Sequence, residues 1–269
     1  MPTAAARQAK RVPRGFERRE LNVNGADVVL FVGGSGEPLV FLHGAGTASG
    51  FHFSASWAGK YTVYLPYHPG FGESPDSAAI ATIDDYVLHY LELFDRLRLD
   101  SVRLVGLSIG GWIAAALATQ NSHRLKKLAL VGPAGLRVPD HPTLDIFRLK
   151  PEEVPAHLVH DLGVLAPYAP DPRGPDFLEF LVNDYHEMSS YGKLAWTRPY
   201  DPDLAKWLHR ISVPTLLLYG DKDRVTPAQQ AETWAGLIPN ATVRIVKDAG
   251  HLVLDEKPEA PQAVLEFLS

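Results

Sequence analysis

The sequence predicts an α/β fold, a mostly parallel central sheet flanked by helices with a helical segment inserted into it. Three observations predict this. Short apolar runs recur along the chain, stretches of helical period separate several of them, and a single long stretch between Val131 and Thr215 breaks the alternation.

From the N-terminus, Phe16 to Val23 and Ala26 to Val32 read as strands joined at Asn24-Gly25, the dipeptide that most favours a two-residue hairpin. The runs 38–42, 61–65, 102–105, 127–131, 215–219 and 242–246 are short and apolar, as expected of strands buried on both faces of a parallel sheet. Helical period falls at 83–97, 109–119, 227–237 and 258–268. Between the strands at 127–131 and 215–219 the chain is rich in Pro, Asp, His and aromatics. Its clearest helices are at 176–185 and 204–210. A structureless loop of that length would be unusual, so a helical cap is expected. The predicted organisation is a basic, disordered arm at 1–15, a core at 16–132 and 211–269, and a cap at 133–210.

Composition limits the function. A chain of 269 residues with 46% hydrophobic content can bury a full core. The net charge of −5 and the dispersal of basic residues outside Arg7, Lys10, Arg11, Arg14, Arg18 and Arg19 give no nucleic-acid signature. The first residues lack an apolar signal-peptide core and no run is suited to span a membrane, so a soluble, cytoplasmic protein is expected. The absence of cysteine removes disulfides, thiolate metal sites and a cysteine nucleophile.

The most informative segment is Gly106-Leu107-Ser108-Ile109-Gly110. It places a serine on a turn from an apolar strand into an alanine-rich helix, where Trp112, Ile113 and Leu117 can pack. Such a turn exposes a hydroxyl above the sheet while the Ile109 amide and the helix N-terminus face developing negative charge. A serine needs a base. Among eleven histidines, His251 follows the 242–246 strand on a loop at the sheet's C-terminal edge. A carboxylate to orient it is available in Gly220-Asp221-Lys222-Asp223, with Asp223 preferred and Asp221 in reserve. The loop His43-Gly44-Ala45-Gly46 supplies small residues after the 38–42 strand, so the Ala45 and Ile109 amides are the expected oxyanion donors, with His43 holding the loop.

These segments, with Pro69-Gly70-Phe71-Gly72-Glu73-Ser74 and Gly250-His251, occur in an order that resembles the α/β-hydrolases bearing a helical cap. The resemblance runs from about Val29 to the C-terminus. The family's Gly-x-x-Asp pattern favours Asp223. Dehalogenases and epoxide hydrolases of this fold carry aspartate at the nucleophile position, where this chain has Ser108. Carbon–carbon bond hydrolases of ring-cleavage pathways usually carry Asn before the serine and Trp after the histidine, where this chain has Leu107 and Leu252. Many members have aspartate where this chain has Tyr67, and Tyr67 with His68 is expected near the site entrance.

The implied activity is that of a serine hydrolase cleaving a small carboxylic ester or lactone through an acyl-enzyme, with no cofactor and no metal. The alternatives are a C–C hydrolase of a vinylogous diketone and a ligand-binding receptor on the same fold. The expected partner is a small-molecule ester, lactone or related carbonyl compound, without nucleic acid or membrane, and monomer and homodimer stay open. Gly44, Phe51, Phe53, Tyr185 and Trp196 are the expected substrate-lining residues, the last two from an aromatic cap set that includes Phe177, Phe180 and Trp207. Arg148, Arg173 and Arg198 are candidates to recognise a substrate carboxylate. His157 and His160 share a helical spacing but lack a third metal ligand.

Overall fold

The computed structural model, which describes residues 12–269, contains strands β1 (Glu17–Val23), β2 (Ala26–Gly34), β3 (Pro38–Leu42), β4 (Thr62–Pro66), β5 (Val102–Leu107), β6 (Leu125–Val131), β7 (Thr215–Gly220) and β8 (Ala241–Val246). They form one sheet in the order β1-β2-β4-β3-β5-β6-β7-β8. β1 pairs antiparallel with β2 and β2 antiparallel with β4, and every other pairing is parallel. The β1–β2 hairpin turns at Asn24 and Gly25, both at positive φ (50° and 91°), as the Asn-Gly signal predicts.

Helices α1 (Ala55–Ala58), α2 (Ile83–Leu97), α3 (Ile109–Asn121), α4 (Val154–Leu158), α5 (Phe177–Ala195), α6 (Leu204–Trp207), α7 (Gln230–Leu237), α8 (Val253–Glu256) and α9 (Glu259–Leu268) connect or flank the strands. α2 starts at a capping box, in which Thr82 Oγ1 accepts from Asp85 N–H and Asp85 accepts from Thr82 N–H. Almost all of α3 is buried, which explains why it is apolar all round.

Strand alternation sends side chains to two cores. Leu104, Leu128, Leu130 and Leu217 fill one face of the sheet, and Val105, Ala129, Val131, Leu216 and Leu218 fill the other. One strand departs from expectation. β8 is not buried on both faces: Val243 and Ile245 are each 43% exposed, because the strand order leaves β8 at the sheet edge with only β7 beside it. The arm expected at 1–15 lies largely outside the described residues. Of its described part, Val12 is buried among Phe16, Val29 and Phe31, so packing reaches further toward the N-terminus than composition implies.

Between β6 and β7 the chain carries α4, α5, α6 and short 3₁₀ turns at Ile146–Arg148, Leu162–Val164 and Leu208–Arg210. α5 extends to Ala195, ten residues beyond the helix read from sequence. Its C-terminal half explains the extension, since Glu187, Ser190, Tyr191 and Ala195 form a buried stripe. Among the described residues, no helix is long and apolar enough to cross a membrane.

Candidate active site

The order β4-β3-β5 reverses the winding of the sheet between β3 and β5, and open α/β sheets bind ligands outside the strand C-termini at such a reversal. The β3–β5 register, which pairs Leu42 with Gly106, carries His43-Gly44 and Ser108 out of the sheet together. Glycine is required where they meet. A Cβ on Gly110 would collide with the Leu42 and His43 carbonyl oxygens, so the first turn of α3 is pressed onto the end of β3. A Cβ on Gly44 would lie 3.3 Å from Ser108 Cβ.

Ser108 has φ 55° and ψ −118°, a backbone conformation costly for a side-chain-bearing residue. Strain of about 1–3 kcal/mol is small beside the burial of Trp112, Ile113 and Leu117 on the helix it leads, at roughly 1.5–3 kcal/mol each. The turn is tied down by Ser108 N–H donating to Val131 O at 3.0 Å, and by Trp112 and Ala134 N–H donating to Ser108 O. Ile109, the first residue of α3, presents its amide ahead of the helix's internal ladder.

On the other side, His251 Nδ1–H donates to Asp223 Oδ2 at 2.8 Å. Asp223 Oδ1 accepts from the Val225 and Thr226 amides, each at 2.8 Å, so the carboxylate is fixed by its own turn. The Thr226 hydroxyl lies 3.0 Å from both Asp223 Oδ2 and Gly132 O and 3.2 Å from His251 Nδ1. His251 Nε2 is buried and makes no hydrogen bond among the described residues. The carboxylate that meets His251 is Asp223. Asp221 instead pairs with Lys222 at 2.9 Å. Gly132, at φ +44°, abuts the pair, since a Cβ there would lie 3.1 Å from Asp223 Oδ2 and 3.2 Å from His251 Nδ1.

The 43–47 loop is held by neutral histidines. His68 N–H donates to His43 Nε2 at 2.9 Å, which places the His43 proton on Nδ1, where it donates to Gly44 O at 2.7 Å. Gly44 O and Ala45 N–H belong to one peptide plane, so fixing the carbonyl fixes the direction of the amide. His68 Nε2–H donates to His43 O at 2.8 Å, leaving His68 Nδ1 to accept from the Tyr90 hydroxyl. Burial pushes the His43 imidazole down to about 4, against the raising effect of its bond to Gly44 O. His68 is also held well below the usual range, first by burial and then by His43. This corrects the expectation that Tyr67 and His68 face an entrance. Both are fully buried, with Tyr67 packed against Phe31 and Phe51.

The residues expected to line the substrate are dispersed. Phe51 and Phe53 belong to an aromatic group around Phe41 and Trp57, with Phe51 buried and Phe53 half-buried. Tyr185 is 79% exposed, and Trp196 is largely exposed with one edge on Phe147. The N-terminal half of α5 presents Leu178, Leu181, Val182 and Tyr185 to solvent, and Trp196 lies at the other end of the helix, at its C-cap. Arg148, Arg173 and Arg198 are all exposed. His157 Nδ1–H donates to Glu153 O, and His160 is exposed. Among the described residues no group of three or more His, Asp or Glu side chains is arranged to hold a metal ion.

Gly132, Thr226, Glu187 and Glu256 were not read from sequence. Thr226 carried a faint signal as the residue before Pro227 at the end of an Asp-centred turn. Glu187 and Glu256 carried none, because Glu187 reaches Thr47 and Gly72, and Glu256 reaches His160 and Asp161, across long chain separation. Glu187 on α5 accepts from Thr47 and Gly72, while Glu256 on α8 accepts from His160, Asp161 and Gly250. Each carboxylate joins the β6–β7 insertion to a loop beside Ser108 or His251.

A strained serine between strand and helix, a small-residue loop after β3 and a histidine on a carboxylate after β8 define a hydrolase architecture, and residues 39–266 match the Alpha/beta hydrolase family, to which this chain belongs. The chain is 26% identical to 2-hydroxy-6-oxo-6-(2'-aminophenyl)hexa-2,4-dienoic acid hydrolase of Metapseudomonas resinovorans, covering 94% of this chain and 91% of that one. It is also 26% identical to a carboxylesterase of Bacillus subtilis (strain 168), covering 86% and 79% of the two chains. Among solved structures, naproxen esterase from Bacillus subtilis superposes with a TM-score of 0.78 at 20% identity, covering 97% of this chain and 94% of that chain, a likeness of fold. The chain is a hydrolase with both esterases and ring-cleavage-product hydrolases among its relatives.

Proposed function

We propose that this hydrolase cleaves a small carboxylic ester or lactone through an acyl-enzyme on Ser108. The observation that carries the reading is the His251–Asp223 hydrogen bond, which fixes the tautomer and leaves His251 Nε2 buried with a free lone pair. In this reading Nε2 takes the Ser108 Oγ proton as the oxygen attacks the carbonyl carbon. The Ala45 and Ile109 amides receive the oxyanion, and imidazolium returns the proton to the leaving alcohol. Water then repeats the sequence, releasing the acid and restoring the serine. Asp223 stabilises the imidazolium formed at each step. Residues 133–210 act as the cap, and the segment nearest the triad sets acyl preference.

The test is turnover of p-nitrophenyl esters of graded acyl size by wild type and Ser108→Ala, with fluorophosphonate labelling of both. Saturable hydrolysis and labelling in wild type are expected, with turnover lowered by roughly 10⁴-fold or more in the variant. Equal turnover in the two proteins would sink the acyl-enzyme. The second reading, hydrolysis of a C–C bond in a vinylogous diketone, rests on the relatives that are hydrolases of 2-hydroxy-6-oxo-6-(2'-aminophenyl)hexa-2,4-dienoic acid and of 2-hydroxymuconate semialdehyde. Leu107 and Leu252 stand against it. It is favoured if Ser108 labels with phosphonate while esters turn over poorly and a dienoate substrate is cleaved.

A further inference from the structure

We infer that Glu187, on the insertion helix α5, is a positioning residue for the oxyanion loop at 43–47, an inference that rests on the acyl-enzyme reading above. Glu187 is only 6% exposed, and a buried carboxylate is tolerated where hydrogen bonds replace its water. The donors come from two core loops. Thr47 N–H donates to Oε2 at 3.0 Å, the Thr47 hydroxyl donates to Oε1, and Gly72 N–H donates to Oε1 at 2.9 Å. Thr47 lies two residues beyond Ala45, and on the other side His43 grips Gly44 O. The Ala45 peptide therefore sits between two anchors, one from the core and one from the insertion.

The rest of this face of α5 makes the anchor rigid. Ser190 packs so closely on Gly70 that a Cβ there would lie 2.6 Å from its Oγ, and Lys193 pairs with Asp76 at 2.5 Å. Glu187, Ser190 and Lys193 are spaced by three and so lie along one side of the helix. The insertion is thus bolted at this end, and an oxyanion amide misplaced by a fraction of an ångström loses its alignment with the transition state while substrate binding is little affected.

The experiment compares full-length wild type with Glu187→Gln, Glu187→Ala, Thr47→Val and Lys193→Met, reading kcat, KM, fluorophosphonate labelling at Ser108, active-site titre and hydrogen exchange of the 43–50 segment. Glutamine keeps one acceptor oxygen but turns an amino group toward N–H donors, so kcat should fall about 10-fold in Glu187→Gln and about 10²-fold in Glu187→Ala. KM should stay near wild type. Exchange at 43–50 should rise in both, and Lys193→Met, which removes an exposed ion pair from the same face, should raise it less and lower kcat by no more than about 2-fold. If Glu187→Ala does not fold, Glu187→Gln and Thr47→Val, each losing part of the same set of bonds, decide the matter.

Unchanged exchange at 43–50 overturns the inference, as does unchanged kcat with raised exchange. So does a loss of activity accounted for by a lower active-site titre. Failure of wild type to label at Ser108 or to hydrolyse any ester overturns the acyl-enzyme reading itself, and the inference with it. Labelling of wild type with no effect of Glu187→Ala overturns the inference alone.

Discussion

On the side of the site formed by β7 and β8, His251 donates to a carboxylate at 2.8 Å, whereas on the side formed by β3 and β4, His43 and His68 donate only to backbone carbonyls and lie with ring centroids 3.8 Å apart. The residue type is the same and the electrostatic setting is opposite. Beside Asp223 a proton gained by His251 is compensated. A proton gained by His43 meets the His68 N–H, and one gained by His68 meets the Tyr90 hydroxyl, in a buried space where no carboxylate among the described residues joins the network. One arrangement suits a group that cycles through a charge, and the other suits a strut that must keep one tautomer.

The two sides also differ in how they are assembled. Asp223 is fixed by amides two and three residues further on, an arrangement that a short turn makes by itself. The 43–47 loop is fixed from Tyr90 on α2, His68 after β4 and Glu187 on α5, none of them local. Polar substitutions of the Asp223 or His251 side chain should therefore act on chemistry with little effect on folding, and mutations on the second side should act on both.

The largest expected effect lies on the His251 side. Asp223→Asn keeps the shape but presents an amide to Nδ1, which favours the wrong tautomer, and kcat should fall by about 10⁴-fold with the melting temperature little changed. Near-wild-type turnover would mean that something else orients His251. Gly132→Ala comes next. It places a methyl against Asp223 and His251 at positive φ, and should cost about 10²-fold in kcat and roughly 1–2 kcal/mol in stability. A variant as active as wild type would show that the pair has room that the structure does not show. Thr226→Val removes a single donor shared between Gly132 O and Asp223 Oδ2, so about a 10-fold loss is expected in steady-state kinetics. If the loss rivalled that of Asp223→Asn, the hydroxyl would have to be orienting His251 itself.

The last effect falls on stability rather than rate and concerns a histidine buried without a carboxylate. Burial lowers His89, on α2 beside Tyr90, to about 4, and its Nε2 has no partner among the described residues. The unfolded chain takes up this proton near pH 6.5 while the folded chain resists it to about pH 4. Stability from this group is therefore complete above 6.5 and lost as pH falls from 6.5 through 4, by about 3 kcal/mol in all. His89→Leu should flatten the slope of unfolding free energy against pH in that window by about one proton, measured by denaturant titration. An unchanged slope would show that His89 is protonated in the fold.

Where the physics is local, the sequence was legible. Asn24-Gly25 specified its hairpin, Gly106-Leu107-Ser108-Ile109-Gly110 specified a strained turn, and the turn after β7 brought Asp223 rather than Asp221 to His251. Each depends on backbone dihedrals and on side chains reaching amides two or three positions away. The substrate-lining expectations fared differently. Phe51 lies in the core and Tyr185 in solvent, because a residue's apolarity says that it can pack but not which surface it meets.

By itself, then, the sequence determined the strand-to-helix turn at Ser108, the order of serine, aspartate and histidine along the chain, and the α/β architecture, since periodicity and turn chemistry are written in neighbouring residues. Only the tertiary structure decided that β8 is an exposed edge, that α5 buries its second half and not its first, and that His68, Gly132, Thr226 and Glu187 surround the site while Glu256 ties it to the insertion. Those contacts join segments far apart in the chain. Their geometry follows from strand order and from the space left between packed layers, neither of which is encoded in any short stretch of sequence.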